Sequence, residues 1–156
     1  MLSRSLLLAA ALAVSAYAQK YDGPVPPKPD LPYLKHADNL LPTEAVTARQ
    51  EKKKDDTTFV IDGASSPART PLASPIFILK ADKLIPDHLQ LFKLESRNGR
   101  REILFAAKKQ PRAIRIVVTR LSADNIYKVE VDESLDPGEY SLSPSDSDQG
   151  FCFQVY

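Results

Sequence analysis

Residues 89–105 have the sequence LQLFKLESRNGRREILF, and the Asn98-Gly99 pair at the centre of this stretch predicts the fold. Both residues tolerate positive φ, so the pair suits the two-residue type I′ turn whose twist matches that of the flanking strands. The resulting cross-strand pairs are Arg97 with Arg100, Glu95 with Glu102, Leu94 with Ile103, and Phe92 with Phe105. Because the apolar pairs fall on one side, turn chemistry and side-chain pattern agree on a half-buried β-hairpin.

Six further segments have the composition of short strands, being rich in β-branched and aromatic residues and bounded by turn-forming residues. They span residues 59–61, 76–79, 114–118, 126–131, 140–142 and 151–155. After residue 57 no window of helical length keeps a 3.6-residue apolar period, and little room is left for crossover helices. This spacing indicates two packed sheets or one small closed sheet. We predict an all-β fold, a mostly antiparallel β-sandwich, Ig-like or similar, over residues 57–156.

Two connections in this domain carry distinct turn chemistry. Asp136-Pro137-Gly138 predicts a type II turn, with Gly138 at positive φ, that starts the penultimate strand. The loop over residues 63–75 is long, and its prolines at 67, 71 and 75 predict that it does not pair as a strand. Protection of a sheet edge and ligand binding are both open roles for this loop.

The first 18 residues predict a cleaved secretory signal peptide. Arg4 supplies a positive n-region, an uncharged apolar run over residues 6–14 follows, and Ala16-Tyr17-Ala18 is a small-x-small cleavage site. The apolar run is shorter than a membrane-spanning helix, and no Cys precedes Cys152, so neither a membrane span nor a bacterial lipid anchor is expected. We therefore expect the mature protein to be exported, to the periplasm or the medium.

Residues 19–56 predict an arm ahead of the sandwich. The stretch over residues 24–32 contains five prolines, which remove backbone donors and favour an extended spacer. Thr43 is placed to cap a short helix over residues 44–50, which runs into charged residues and has little apolar surface. Such a helix is expected to be marginal unless it docks on another surface.

The order of charges along the chain is unusual. Residues 97–120 contain eight basic residues and one acidic residue, whereas residues 121–148 contain eight acidic residues and one basic residue. Neighbouring strands that pair these charges explain the order without a ligand. The alternative is a separate basic patch that steers a partner protein, an anionic polymer or a second copy. Its candidate residues are Arg97, Arg100, Arg101, Lys108, Lys109 and Arg112. Only Phe105 interleaves with this basic run, which disfavours nucleic acid as the partner.

The sequence offers no recognisable reactive constellation. Glu95 and Glu102 face each other in the hairpin, but Arg97 and Arg100 beside them favour an ion-pair lattice over general acid catalysis. His36 and His88 lie in unrelated contexts, so neither a metal site nor a cofactor is expected. Cys152 lies between two phenylalanines, which favours a small buried residue over an intermolecular disulfide crosslink.

Asp136-Pro-Gly-Glu-Tyr-Ser-Leu142, followed by Phe151-Cys-Phe-Gln-Val155 and preceded by a proline-rich mature N-terminus, resembles a group of uncharacterised exported bacterial proteins. The resemblance implies an envelope-facing β-domain and carries no catalytic or binding residue with it. We therefore expect a non-enzymatic module of the bacterial cell envelope that acts through protein contacts. The alternative is a module that binds a small ligand or a polysaccharide through the 63–75 loop.

Cleavage after Ala18 would leave Gln19 as the first residue of the mature protein. We expect N-terminal sequencing of protein recovered from the exported fraction to begin at Gln19. A mature chain that begins at Met1 would contradict both the cleavage and the predicted localisation.

Overall fold

The computed structural model describes residues 20–156, so the predicted signal peptide lies outside the described part. Those residues form thirteen strands and one short 3₁₀ turn, Pro86–His88. The strands are β1 Tyr33–His36, β2 Asn39–Pro42, β3 Glu44–Thr47, β4 Arg49–Lys53, β5 Asp56–Asp62, β6 Arg69–Thr70, β7 Ile76–Lys80, β8 Leu89–Arg97, β9 Arg100–Phe105, β10 Ile116–Arg120, β11 Ile126–Val131, β12 Gly138–Pro144 and β13 Gln149–Val155. The fold is all-β, as predicted.

The strands form two sheets that are antiparallel except at one short pairing. The smaller sheet has the order β10-β11-β7-β1-β2, and the larger has the order β3-β13-β12-β8-β9-β5-β4. Strand β6 adds to β13 in parallel, in the space beyond the end of β3. The predicted sandwich is therefore present, with one sheet larger and more curved than the other.

The larger sheet curls until its two edges meet. Its edge strands, β3 and β4, are consecutive in the chain and are separated by Ala48 alone. One continuous segment, residues 44–53, thus pairs first with β13 and then with β5, so the sheet forms a cylinder of six strand positions. The N–H of Ala48 donates to the carbonyl of Asp148 at this join, at 2.8 Å. A sheet closed in this way leaves few unpaired backbone groups at its edges.

The main core lies between the smaller sheet and one side of the cylinder. Buried side chains such as Leu34, Phe77 and Val129 of the smaller sheet belong to the same cluster as Leu142 and Phe153 of the cylinder. The rings of Phe77 and Phe153 meet edge to face, with centroids 5.1 Å apart. Strands β8, β12 and β13 therefore have one face in this core and the other face inside the cylinder.

The hairpin that predicted the fold is confirmed at its turn. Asn98 and Gly99 have φ of 53° and 72°, and β8 pairs with β9 from Arg97 opposite Arg100 to Glu95 opposite Glu102. The ladder between β8 and β9 ends there, while Leu89 to Leu94 of β8 pair with β12 on the strand's other edge. Phe92 and Phe105 still touch edge to face, with centroids 5.5 Å apart. All eight predicted strands are present.

The predicted helix over residues 44–50 is wrong, because these residues form β3 and most of β4. The domain also begins earlier than residue 57, since strands β1 to β4 belong to the two sheets. Two hairpins in this region turn at Ala37 and Lys54, which have φ of 53° and 58°. Neither residue favours positive φ, so the turns carry no sequence signal of the Asn-Gly kind.

The proline-rich stretch is irregular but docked, not a free spacer. The Asp30 carboxylate accepts the N–H groups of Asp82, Lys83 and Leu84 at 2.8 to 3.1 Å. Burial alone would raise the pKa of Asp30, but these backbone donors outweigh it and lower the pKa. Pro26 and Pro32 are buried. The arm therefore belongs to the folded body from at least Pro26 onward.

Two further connections differ from expectation. Gly138 is not at positive φ, so the type II turn is wrong; the residue is already extended as the first of β12, opposite Val155. The 63–75 loop contains the paired strand β6, which lies between its first two prolines. Ser66, Ala68 and Thr70 are at most 3% exposed, so the loop covers the edge of β13. Within residues 20–156, none of the helical structure has the length and apolar character to cross a membrane.

A buried ion pair fastens the closed end of the cylinder. The Arg101 side chain, 1% exposed, bonds both carboxylate oxygens of Glu44, at 2.6 and 3.3 Å. Its remaining donors reach the carbonyls of Asp62 and Gly63 at 2.8 and 2.9 Å. One guanidinium on β9 therefore ties β3 to the end of β5 across the interior.

We expect Arg101→Ala to lower the free energy of unfolding by about 3 kcal/mol, because it leaves Glu44 without its counter-charge in a largely buried place. Arg49→Ala is the matched control: it removes the pair with Asp62, whose side chains are 58% and 86% exposed, and should cost below about 1 kcal/mol. Urea unfolding followed by circular dichroism measures both. Equal losses in the two variants would contradict the role given to Arg101.

Candidate functional site

The cylinder encloses a cavity of about 730 Å³ that opens at the end opposite Arg101. Because side chains alternate along a strand, every second residue of its strands points inward. The inward side chains that line it include Gln50 and Lys52 of β4, Thr57, Phe59 and Ile61 of β5, Gln90, Phe92 and Leu94 of β8, Ile103 and Phe105 of β9, and Ser141 and Ser143 of β12. A volume of this size is typical of small-molecule sites.

One wall of the cavity is aromatic. Phe59, Phe105 and Phe92 come from the neighbouring strands β5, β9 and β8. Phe105 meets each of the other two rings edge to face, with centroid separations of 5.3 and 5.5 Å. Ile61 and Leu94 continue this wall into the floor, where they pack with Cys152. An apolar part of a ligand would find its contacts here.

The opposite wall carries uncharged polar groups. The hydroxyls of Ser141 and Ser143 on β12 are 2.7 Å apart. Gly150 of β13 lies beside them, and a Cβ added there would come within 2.7 Å of the Ser141 hydroxyl oxygen. Only glycine at this position lets β13 approach without displacing that hydroxyl. Gln50 of β4 extends the polar surface toward the mouth, and Gln90 lies on β8 beside Phe92.

Among the described residues that line the cavity, the charged ones are exposed and lie at its mouth, namely Lys52, Asp146 and Asp148. The Gln50 amide donates to Asp148 at 2.6 Å and so ties β4 to the loop between β12 and β13. Hydroxyl and amide groups both donate and accept hydrogen bonds, whereas the interior holds no free charge to offset an ionised ligand group. The cavity therefore suits an uncharged molecule with separate apolar and polar sides.

Beneath the floor lies a buried polar cluster around Cys152, which is 0% exposed. Burial raises the pKa of Cys152 to about 11, although a hydrogen bond with Ser141 and the charge of Arg101 act in the opposite direction. Burial likewise raises the pKa of Glu139, despite the bond its carboxylate accepts from the Ser66 N–H. The predicted burial of Cys152 is confirmed. Cys152 therefore has no exposed surface in the folded chain from which to crosslink another chain.

The six residues of the predicted basic patch do not form one free surface. Arg101 is buried, while Arg97 and Arg100 both pair with Glu102, at 2.6 and 2.9 Å. Arg112 pairs with Glu133 at 2.8 Å. Lys108 and Lys109 are exposed and have no ion pair with any residue between 20 and 156. The patch is thus broken up by internal pairing.

Pairing between the basic and acidic halves of the chain explains part of the charge order. The Glu133 carboxylate accepts hydrogen bonds from the Arg112 guanidinium and from the N–H of Arg115. These contacts lower the pKa of Glu133 to about 2. Arg115 also lies 3.5 Å from Asp132. Arg120 departs from this scheme, since it bonds the carbonyls of Ser122 and Ala123 and the Asn125 side chain.

The other candidate groups are dispersed. Glu102 belongs to the hairpin ion-pair lattice, as predicted, with Arg97 and Arg100 on either side. His36 bonds the Thr70 hydroxyl at 2.9 Å, and His88 ends the 3₁₀ turn. Across the described residues, no group of three or more His, Cys, Asp or Glu is arranged to hold a metal ion. None of residues 63–75 lines the cavity.

Comparison of the chain with protein-family models, with curated proteins and with solved structures finds no match. The resemblance to exported bacterial proteins stays a prediction. Function has to be inferred from the cavity and the chemistry of its walls.

The sealed, protonated Cys152 should resist thiol reagents in the folded protein. At pH 8 we expect its reaction with Ellman's reagent to be at least about a hundredfold slower than in urea, because attack needs an exposed thiolate. The urea-unfolded protein is the internal control. Rapid labelling without urea would show that the sulfur is accessible and would reopen the crosslink hypothesis.

Proposed function

We propose that this chain is an exported, non-enzymatic β-domain that binds a small uncharged amphipathic molecule inside its cylinder. The observation that carries the proposal is the cavity of about 730 Å³ with three phenylalanines on one wall and hydroxyl and amide groups on the other. The cavity therefore supports ligand binding in the cylinder, whereas the 63–75 loop packs against β13 and lines no part of the cavity.

The aromatic wall supports binding of an apolar surface. Phe59 and Phe105 are only half-buried, so part of each ring remains in water until a ligand covers it. Removing apolar surface from water contributes about 25 cal/mol per Å², so each 100 Å² covered favours binding by about 2.5 kcal/mol. A ring system or a short chain fits this wall better than a fully polar solute.

The polar wall favours a ligand that carries no charge. Ser141 is buried, and its hydroxyl oxygen already contacts that of Ser143. An ionised ligand group placed there would lose water and find no buried counter-charge, which costs several kcal/mol. A hydroxyl or carbonyl on the ligand pairs with the same groups at little cost.

The state of the groups nearest the cavity supports binding without chemical conversion. Cys152 is held as a thiol beneath the floor, and Glu44 is neutralised by Arg101. The Ser141 hydroxyl lies against another serine hydroxyl and not against a base that would activate it. These groups stabilise the cylinder and position its polar wall.

Nile red, an uncharged dye that fluoresces in apolar surroundings, tests the proposal. We expect saturable binding to the purified protein, weakened about tenfold by Phe105→Ala, which removes a wall contact worth about 1.4 kcal/mol. Leu104→Ala is the matched control, because Leu104 is the preceding residue on β9, points outward and is 51% exposed. The control should bind as the unaltered protein does.

Circular dichroism and thermal unfolding of both variants check that each is folded at the titration temperature. The anionic dye anilinonaphthalene sulfonate should bind at least about tenfold more weakly than Nile red, because the cavity offers its sulfonate no buried cation. Absence of Nile red binding, or equal loss in both variants, would overturn binding in the cavity. Tighter binding of the anionic dye would overturn the proposed ligand class alone.

Contact with another protein chain is a second candidate function. The observation that favours it is the uncovered edge of β10, which is separate from the cavity.

A further inference from the structure

Within residues 20–156, strand β10 forms a free edge of the smaller sheet, with β11 as its sole neighbour. The Leu121 N–H donates to Ile126, and the Arg115 carbonyl accepts from Asp132, at 2.7 and 2.9 Å. In an antiparallel ladder the residues that bond the neighbour alternate with residues that face away from it. The N–H and C=O groups of Ile116, Val118 and Arg120 therefore point outward, with no strand beside them.

The other edges of the two sheets are closed or blunted. In the cylinder, β3 and β4 merge at Ala48. At the far edge of the smaller sheet, β2 has four residues and ends at Pro42, which has no N–H to offer. Proline, a bulge or an inward charge is how proteins usually protect such edges. Strand β10, with the sequence Ile-Val-Val-Thr-Arg, has no proline and ends in its only charge.

The side chains of β10 suit pairing with another strand on both faces. Ile116 and Val118 pack against the main core from the inner face. Val117, on the outer face, is 45% exposed although valine favours the interior of sheets. The neighbouring charges largely form internal ion pairs; Arg115, for example, lies 3.5 Å from Asp132. The edge therefore favours a partner held by backbone bonds and β-branched contacts.

We propose that β10 pairs antiparallel with β10 of a second copy, about a two-fold axis at Val118. This register places Ile116 opposite Arg120 of the second copy, Val117 opposite Thr119, and Val118 opposite itself. In this register the outward N–H and C=O groups of all three residues in each chain bond to the backbone of the second copy, because all three fall at hydrogen-bonded positions of the ladder. No two like charges face each other, and two β-branched pairs form on the outer face.

A second copy fits better than a differently charged partner because the strand is complementary to itself. Isologous pairing of one surface with itself is also the commonest form of association between identical chains. A contact of five residues per chain is about 17 Å long. It covers less than the roughly 1,000 Å² of a stable interface, so the dimer forms reversibly at high concentration. It continues the smaller sheet across the axis and leaves both cavities open.

Val118→Pro tests the proposal, because proline at this position removes only an N–H that points away from β11. Val118→Ala is the matched control: it removes the same packing but keeps the N–H. In sedimentation equilibrium up to about 1 mM, we expect the unaltered protein and Val118→Ala to approach the mass of a dimer. Val118→Pro should associate at least about tenfold more weakly.

Circular dichroism of the proline variant checks whether it keeps its strands. Because backbone bonds and apolar contacts hold the pair, raising the salt concentration should leave the association nearly unchanged. An unaltered protein that stays monomeric over the whole range would overturn the proposal. Pairing of β10 with a strand of another protein instead would overturn it as well. A dimer that persists in Val118→Pro would also overturn it. The result is independent of Nile red binding.

Discussion

The bond between Arg101 and Glu44 at the base of the cylinder is the interaction on which the larger sheet depends. It joins β9 to β3, which lie at separate positions around the closed sheet. Every donor contact of the guanidinium goes to a carboxylate or a carbonyl at the ends of β3 and β5. A buried ion pair repays its desolvation only when its hydrogen bonds are satisfied, and here they are. The closed end is therefore polar and rigid, and the cavity lies above it.

Closure of the larger sheet gives three of its strands two buried faces. In β13, Phe151 and Phe153 face the core between the sheets, while Gly150 and Cys152 face the interior of the cylinder. The inward faces of these strands still carry polar residues such as Gln90 and Ser141, whereas β4 lies at the mouth and is polar throughout. The same closure brings both kinds of side chain into one cavity: the phenylalanines come from β5, β9 and β8, and the small hydroxyl residues come from β12, the strand next to β8.

The parts of the fold that follow from local chemistry were predictable from the sequence, and those that depend on distant pairing were not. Asn98-Gly99 specifies its turn whatever surrounds it. By contrast, Glu44 to Lys53 are mostly good helix formers, and only their pairing with β13 and β5 makes them strands. The cavity was missed for the same reason: Phe59, Phe92 and Phe105 lie in different predicted strands, and without the strand order nothing places them on one wall.

The join at Ala48 makes the cylinder sensitive to the length of the chain. Side chains alternate with a period of two, so Gln50 and Lys52 point inward only because a single residue separates β3 from β4. Inserting or deleting one residue there would turn Arg49 and Glu51 into the cavity and send the amide of Gln50 to the outside. Surface loops generally tolerate changes in length. At this corner the number of residues determines which side chains face the interior.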